Sequence, residues 1–411
     1  MAGERPTLPL EGVHILDFGT TVAGPAATKL LAMWGATVLR VESSVHPDTT
    51  RLGSPYAGDV RGLNRSGYFA VYNSDKRSLA LNMQKPAARE FFKRLLPWAD
   101  AVVETFVPGV MARWGLAYED LRRVRPDLIM VSECLQGQTG PHATHRGYGQ
   151  QASALTGWYE VTGWPDRPPT GPYSAYADFI ALHYVSVAVL VALEYRRRTG
   201  RGQYVDLSQY EVACQFALPG LLGEQLPATR GAAAVRRGNR DPYAAPHGVF
   251  PCRGEDRWVA IAVRTDAQWS ALCTEMGRED LCQNEGFATF LERKRHEDAL
   301  EATLAAWTTG FEANDLVRRL QAVGVPAAAV AKGEDLFTDP QFRFRGTFAV
   351  LDHPEMGRYR CHGSPFRFSD LVAQPRRAAP LLGEARDWVC REILGLSDDE
   401  MAAYEAAGIF E

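Results

Sequence analysis

Short apolar runs and helical repeats take turns along the first half of the chain. Val13-His14-Ile15-Leu16 reads as a strand, and Thr37-Val38-Leu39-Arg40-Val41 reads as the next one. Between them Ala23-Gly24-Pro25 turns into a helix, with Pro25 suited to a first helical position. That helix is expected to end near Trp34-Gly35, where glycine takes a left-handed cap. The cycle then repeats. Leu79 to Met83 is extended, Pro86 to Leu96 helical, and Ala101-Val102-Val103 and Leu128-Ile129-Met130-Val131 are further strands. Strands alternating with helices predict βαβ units and a mostly parallel sheet, an α/β fold.

A long apolar helix is predicted over 178–198. Its last turn carries Arg196, Arg197 and Arg198, which favour the negative end of the helix dipole, and Thr199-Gly200 stops it. Gln203 to Leu207 is extended, and a helix is expected from Tyr210 to Leu218. The stretch 226–242 is basic, rich in small residues and aperiodic, and reads as a linker or mobile loop. Beyond Tyr243 the pattern becomes a smaller α+β unit. Trp258 to Val263 is a strand, helices are expected at 267–276 and 297–323, and Val325 to Val330 is a return strand. β-like pieces near 347–368 and a helix around 384–394 complete the tail.

Composition narrows the class. Of 411 residues 46% are hydrophobic and 23% charged, ordinary for a chain with a sizeable core, and the net charge of −4 gives no reason to expect a nucleic-acid partner. The longest apolar run, Phe179 to Leu193, is shorter than the roughly 20 residues of a membrane span, so a buried core helix is expected and no membrane partner. No basic, apolar leader is seen at the start. The seven cysteines form no C-x-x-C pair and are odd in number, which speaks against a disulfide framework or zinc site and for a reducing, cytoplasmic setting. No metal is expected.

The chemistry centres on Asp178, the lone carboxylate at the head of the apolar run. Pro172 to Ala177 lacks helical periodicity, so Asp178 falls at or near a helix N-terminus. It reads either as an N-cap, accepting backbone N–H bonds, or as a nucleophile presented by a rigid helix, and one residue can be both. There is no G-x-S-x-G elbow, Walker loop or H-E-x-x-H motif. Gly19 to Gly24 has the position of a phosphate loop without the G-x-G-x-x-G spacing, which weakens a nicotinamide reading. Glu42, closing the second strand, is either a ribose ligand or a solvated strand end. His142 and His145 read as solvated loop residues. Lys76, Arg77, Arg113 and Arg146 are expected near converging strand ends, where bases suit a phosphorylated ligand or form an ordinary charged surface.

Taken together, LEGVHILDFGTTVAGPAATKLLAMWGATVLRVE, NSDKRSLALNM, VVETFVPGVMARWGL, GQTGP, RTGRGQYVDLS, HPEMGRYRCHGSPFRFSD and AAPLLGEARDWVCREILGLSDDE resemble the class III CoA-transferases over nearly the whole chain. The resemblance implies a Rossmann-like large domain built from both chain ends, with a smaller inserted α+β domain, in an interlocked-ring dimer. The expected division is 1–225, 226–325 and 326–411. It places Asp178 on the family's catalytic aspartate. It places Val22, Ala23, Leu81, Asn82, Met83, Thr105, Phe106, Arg113, Arg146, Gly147, Tyr148 and Gly149 on positions that contact CoA. Coenzyme A and acyl-CoA are then substrates, with a carboxylic acid as acceptor and no permanently bound cofactor. Formate-type enzymes carry glutamine at Val22 and asparagine at Thr105, and a basic residue often stands at Ser43, so the formyl/oxalyl pair is not implied. The segment GWPDRPPTGPYSAYADF resembles the branch acting on larger acids such as benzylsuccinate and bile acids, and succinyl-CoA is the donor expected by family habit.

The nearest rival of the same fold is an α-methylacyl-CoA racemase, which pairs the aspartate with a histidine from a GHD-type motif. Here that piece is Gly147-Tyr148-Gly149, and a two-base route needs a second titratable group. The other rival is a CoA-binding subunit of a heteromeric transferase.

Overall fold

The computed structural model describes residues 7–215, 225 and 236–411. Six strands make its main sheet: β1 (His14–Phe18), β2 (Thr37–Glu42), β3 (Arg77–Ala80), β4 (Ala101–Glu104), β5 (Ile129–Cys134) and β6 (Tyr204–Ser208). Their order is β3-β2-β1-β4-β5-β6 and every neighbouring pair is parallel. The chain begins in the middle, builds outward through β3, then returns to the other side of β1 for β4. At such a reversal the connections leave in opposite directions and a crevice opens beyond the carboxyl ends of the strands.

Both faces of the sheet are covered, so the residues of β1 to β5 are almost all buried. On one face Leu16, Leu39, Leu79, Val102 and Met130 pack with Phe91 and Phe92 of the Pro86–Arg94 helix and with Val389, Met401 and Ile409 from the chain end. On the other face Ile15, Val38, Val103, Ile129 and Val131 meet Ala27 and Leu31 of the Ala23–Met33 helix and Ile180, Val185 and Val189 of the Tyr176–Thr199 helix. Fully burying a side chain of this size contributes about 1.5–3 kcal/mol.

The Tyr176–Thr199 helix is 24 residues long, longer than the apolar run within it suggests, and by length and composition it could cross a membrane. Its packing identifies a core helix instead. Ala177, Ala181, Val185, Val189 and Ala192 recur every three or four residues and are buried, while Val187, Val191 and Tyr195 face outward. Gly200 ends it in the left-handed conformation, with its N–H on the Arg196 carbonyl.

The chain divides into two compact units. The first comprises 1–159, 171–233 and 341–411, and the second 160–170 and 234–340. Within the first, the chain end closes on the sheet. The Asn82 N–H bonds the Ile409 carbonyl, and the hairpin of β10 (Phe348–His353) and β11 (Gly357–His362) is antiparallel. The second unit holds β7 (His247–Pro251), β8 (Trp258–Ala262) and β9 (Ala327–Ala329), all antiparallel. The single helix expected over 297–323 is two, Glu297–Thr308 and Ala313–Ala322, because Gly310 turns the chain between them. A helix not foreseen, Asp398–Ala406, starts at a Ser397–Glu400 capping box. The end of the helix expected at 210–218 and most of the 226–242 stretch lie outside the described residues.

Candidate active site

A cleft of about 750 Å³ opens where β1 and β4 part, lined by the turn after β1, the Thr105–Val110 connection after β4, and the 143–148 loop. The turn is tightly built. The Gly19 N–H bonds Asp17 Oδ1 at 2.7 Å, the Thr20 N–H bonds Thr105 Oγ1 at 2.8 Å, and the Thr21 N–H bonds Asp48 Oδ2 at 3.0 Å. These are the amides a phosphate loop would present to a ligand, and protein oxygens already hold them. Gly24 is required for a different reason: a Cβ there would stand 2.6 Å from Thr105 Cγ2. The two glycines of this segment therefore serve close packing of helix on strand.

Asp178 lies at the cleft wall, 6% exposed, in the first turn of the Tyr176–Thr199 helix. It is not the N-cap. Ala175 holds that place, without a side-chain bond, and Asp178 is the third helical residue. Its carboxylate accepts from Gln209 Nε2 at 2.8 Å and from the Gly149 N–H. Burial pushes Asp178 up to about 6, while the two donors pull the other way. About nine-tenths of the group is still anionic at pH 7.

The positions expected to contact CoA separate into two groups. Val22, Ala23, Leu81, Met83, Thr105, Phe106, Arg146, Gly147 and Tyr148 line this cleft together with Asp178. Asn82, Arg113 and Gly149 are outside that lining. Asn82 is buried and reaches Glu411, Arg113 is exposed, and Gly149 supports Asp178 from behind. Of the other bases, Lys76 is sealed in and bonded to Asp17 at 2.8 Å, and Arg77 opens β3, with its guanidinium over the Trp388 ring. Neither is a free cation beyond the strand ends. Glu42 lines the cleft and is not a solvated strand end. It is buried and gripped by Arg51 through two 2.8 Å bonds, which hold it down at about 2. His145 lines the cleft, its ring 4.4 Å from that of His142. Among the described residues no three His, Cys, Asp or Glu side chains gather as metal ligands.

The family model for CoA-transferase family III matches residues 10–386. The chain belongs to CoA-transferase family III. This family III CoA-transferase is 32% identical over 408 residues to the succinyl-CoA–D-citramalate CoA-transferase of Chloroflexus aurantiacus, with 99% of both chains covered. It is 32% identical over 409 residues to that organism's succinyl-CoA–L-malate CoA-transferase beta subunit, with 98% of both covered. A crystal structure of a CaiB/BaiF-family protein from Brucella suis superposes on it with a TM-score of 0.86 at 31% identity, over 94% of this chain and 100% of the other. The chain is thus an enzyme that transfers CoA, as its sequence motifs imply.

Two cleft residues of the transferase were not singled out by sequence. Gln209 follows β6 directly and supplies the amide on Asp178. Glu133 is the fifth residue of β5. Period two along that strand puts Ile129, Val131 and Glu133 on the face that packs against the Tyr176–Thr199 helix. Glu133 is only 2% exposed, and burial together with the Asp178 charge pushes it up to about 8. The signal was available: a carboxylate in step with the buried positions of an apolar strand, LIMVSEC.

Proposed function

We propose that this transferase moves CoA from succinyl-CoA to a short dicarboxylic acid through covalent intermediates on Asp178. The observation that carries the reading is one buried carboxylate on a cleft wall, ionised at neutral pH, aimed by a backbone N–H and a side-chain amide. Relatives named for citramalate and malate support a short acceptor over the larger acids suggested by the 163–179 segment.

The carboxylate attacks the donor thioester, the C–S bond breaks, and a mixed anhydride and CoA thiolate result. The thiolate attacks the aspartyl carbonyl, releasing the donor acid and leaving an aspartyl-CoA thioester. The acceptor carboxylate attacks that thioester, giving a second anhydride. CoA thiolate then takes the new acyl group and Asp178 is restored. No step consumes or releases a proton, which is why the nucleophile needs no general base. The helix dipole offers an anion only about 0.3–1 kcal/mol, so it does not drive the attack. Fixing the reacting groups together contributes more, roughly 7–11 kcal/mol, and binding of the distant nucleotide end of CoA is the source of that positioning. A carboxylate raised to about 6 is a stronger nucleophile than a solvated one and still largely ionised at pH 7.

Val22, Ala23, Leu81, Met83, Thr105, Phe106, Arg146, Gly147 and Tyr148 are the CoA-contacting set in this reading, with Asn82, Arg113 and Gly149 placed around it. The same proposal includes a cytoplasmic setting consistent with seven free cysteines, and an interlocked homodimer. The outward apolar residues Val187, Val191 and Tyr195 of the core helix support a covered face. Sedimentation should give a species of twice the chain mass that dilution does not split, and a monomer would remove the dimer from the account. The beta-subunit relative favours a second reading, a two-chain enzyme. Turnover by the purified single chain decides against it.

The test is the Asp178→Ala variant. Incubated with succinyl-CoA, the wild-type protein should carry an adduct on Asp178 that hydroxylamine removes. The variant should lose both adduct and transfer while retaining CoA binding. Full transfer by the variant would end the proposal.

A further inference from the structure

The cleft holds a carboxyl for which the reaction at Asp178 has so far no use. Glu133 lines the cleft beside Asp178, is almost wholly buried, and its Oε1 has no hydrogen-bond partner among the described residues. Gln209 faces both acids with one amide, which holds Asp178 Oδ1 at 2.8 Å and also draws on Glu133. We propose that Glu133 is a second functional carboxyl of this site, donating a hydrogen bond to the acyl oxygen that becomes negative when Asp178 attacks the thioester.

This rests on Asp178 being the nucleophile. Two neighbouring carboxyls out of water cannot both ionise at low cost, so one retains its proton. The groups around Glu133 decide which. Asp178 on the long helix faces it as an acid, Glu104 on β4 adds its charge from the other side of the sheet, Cys134 adjoins it on its own strand, and no cation is among them. The Gln209 amide serves both acids, but only Asp178 has the Gly149 N–H as well to hold its charge, so Glu133 is the protonated partner. A neutral carboxyl has one O–H to give, and an unpartnered buried donor or acceptor in a cleft costs stability unless a ligand completes it. The acyl oxygen of a tetrahedral intermediate is such a partner, and a fixed donor placed on it acts without reorganisation. Glu133 transfers no proton in this role.

The consequence is a two-sided pH profile. Activity should rise as Asp178 ionises through about 6 and fall as Glu133 ionises through about 8. In the Glu133→Gln variant the amide N–H still donates but does not ionise at these pH values. Transfer at pH 7 should stay within about tenfold of wild type, and the alkaline fall should disappear while the acid rise persists. In Glu133→Leu, which offers no donor, kcat should drop on the order of 10²–10³-fold with CoA binding retained. Glu104→Gln is the control, because Glu104 is itself raised to about 7 but belongs to the opposite face of the sheet, where it accepts the Phe106 N–H. An alkaline fall that survives Glu133→Gln, or that vanishes in Glu104→Gln instead, overturns the assignment, as does a Glu133→Leu variant with undiminished kcat. Loss of the hydroxylamine-sensitive adduct in Asp178→Ala reports on the nucleophile separately, so failure of one idea is distinguishable from failure of the other.

Discussion

At Asp178 burial and hydrogen bonding oppose each other, and the balance leaves a carboxylate that is basic yet largely ionised at pH 7. Its position depends on an absence of atoms at Gly149. A Cβ there would sit 2.6 Å from Asp178 Oδ1 and 3.0 Å from the Ala175 carbonyl, so something must move. Gly149→Ala should therefore shift the carboxylate and lower kcat on the order of 10²-fold, since a misplacement near 1 Å costs about that much. CoA binding and the far-UV spectrum should be unchanged. Undiminished turnover would show that the carboxylate is not held where the account needs it. At this scale the sequence was legible where one residue type stood out against its background. Asp178 did so, as the only acid at the head of a long apolar run. Gln209 did not, because an amide after a strand has many ordinary uses, and its bond spans 31 residues.

At the scale of elements, the turn after β1 is held by buried ions rather than by glycine flexibility. Asp17 with Lys76, Arg40 with Asp48, and Glu42 with Arg51 tie β1, β2 and the segment before β3 together. Arg51→Met would leave Glu42 without its fork, and an unfolding titration in urea should register a loss of about 3–5 kcal/mol. The sign with pH follows from Glu42. Its folded value, about 2, is below its ordinary 4.5, so its stabilisation is complete above pH 4.5 and is lost as pH falls towards 2. The variant should be less stable at pH 7 and flatter over that acid range. Equal stability of the two proteins would contradict the assignment. Elements with strong periodicity were readable to within a few residues, as with the Pro86–Arg94 helix and β2. The break at Gly310 was hidden because apolar residues keep helical spacing on both sides of it. The fate of Lys76 was hidden because its partner Asp17 lies 59 residues away, and that of Glu42 because Arg51 sits in an aperiodic turn whose course the sequence does not give.

At the scale of the molecule, the strand order explains where the cleft is. β4 crosses back beside β1, and the loops on either side of that reversal carry Val22 and Thr105 to one opening. Alternating strand and helix patterns sufficed to foresee an α/β fold with a parallel sheet, and the motifs sufficed to foresee the family. The order of strands was not readable, since every strand is a short run of similar length and nothing in the run names its neighbour. The reaction itself is tested most directly by oxygen tracing. With an acceptor acid labelled with ¹⁸O in its carboxylate, the second anhydride places an acceptor oxygen on the aspartyl group, and CoA then leaves with the acyl carbon. After turnover the peptide containing Asp178 should carry the label, and the donor acid released in the next cycle should carry it as well. Transfer of CoA with no label reaching Asp178 or the released acid would contradict a covalent path through this carboxylate.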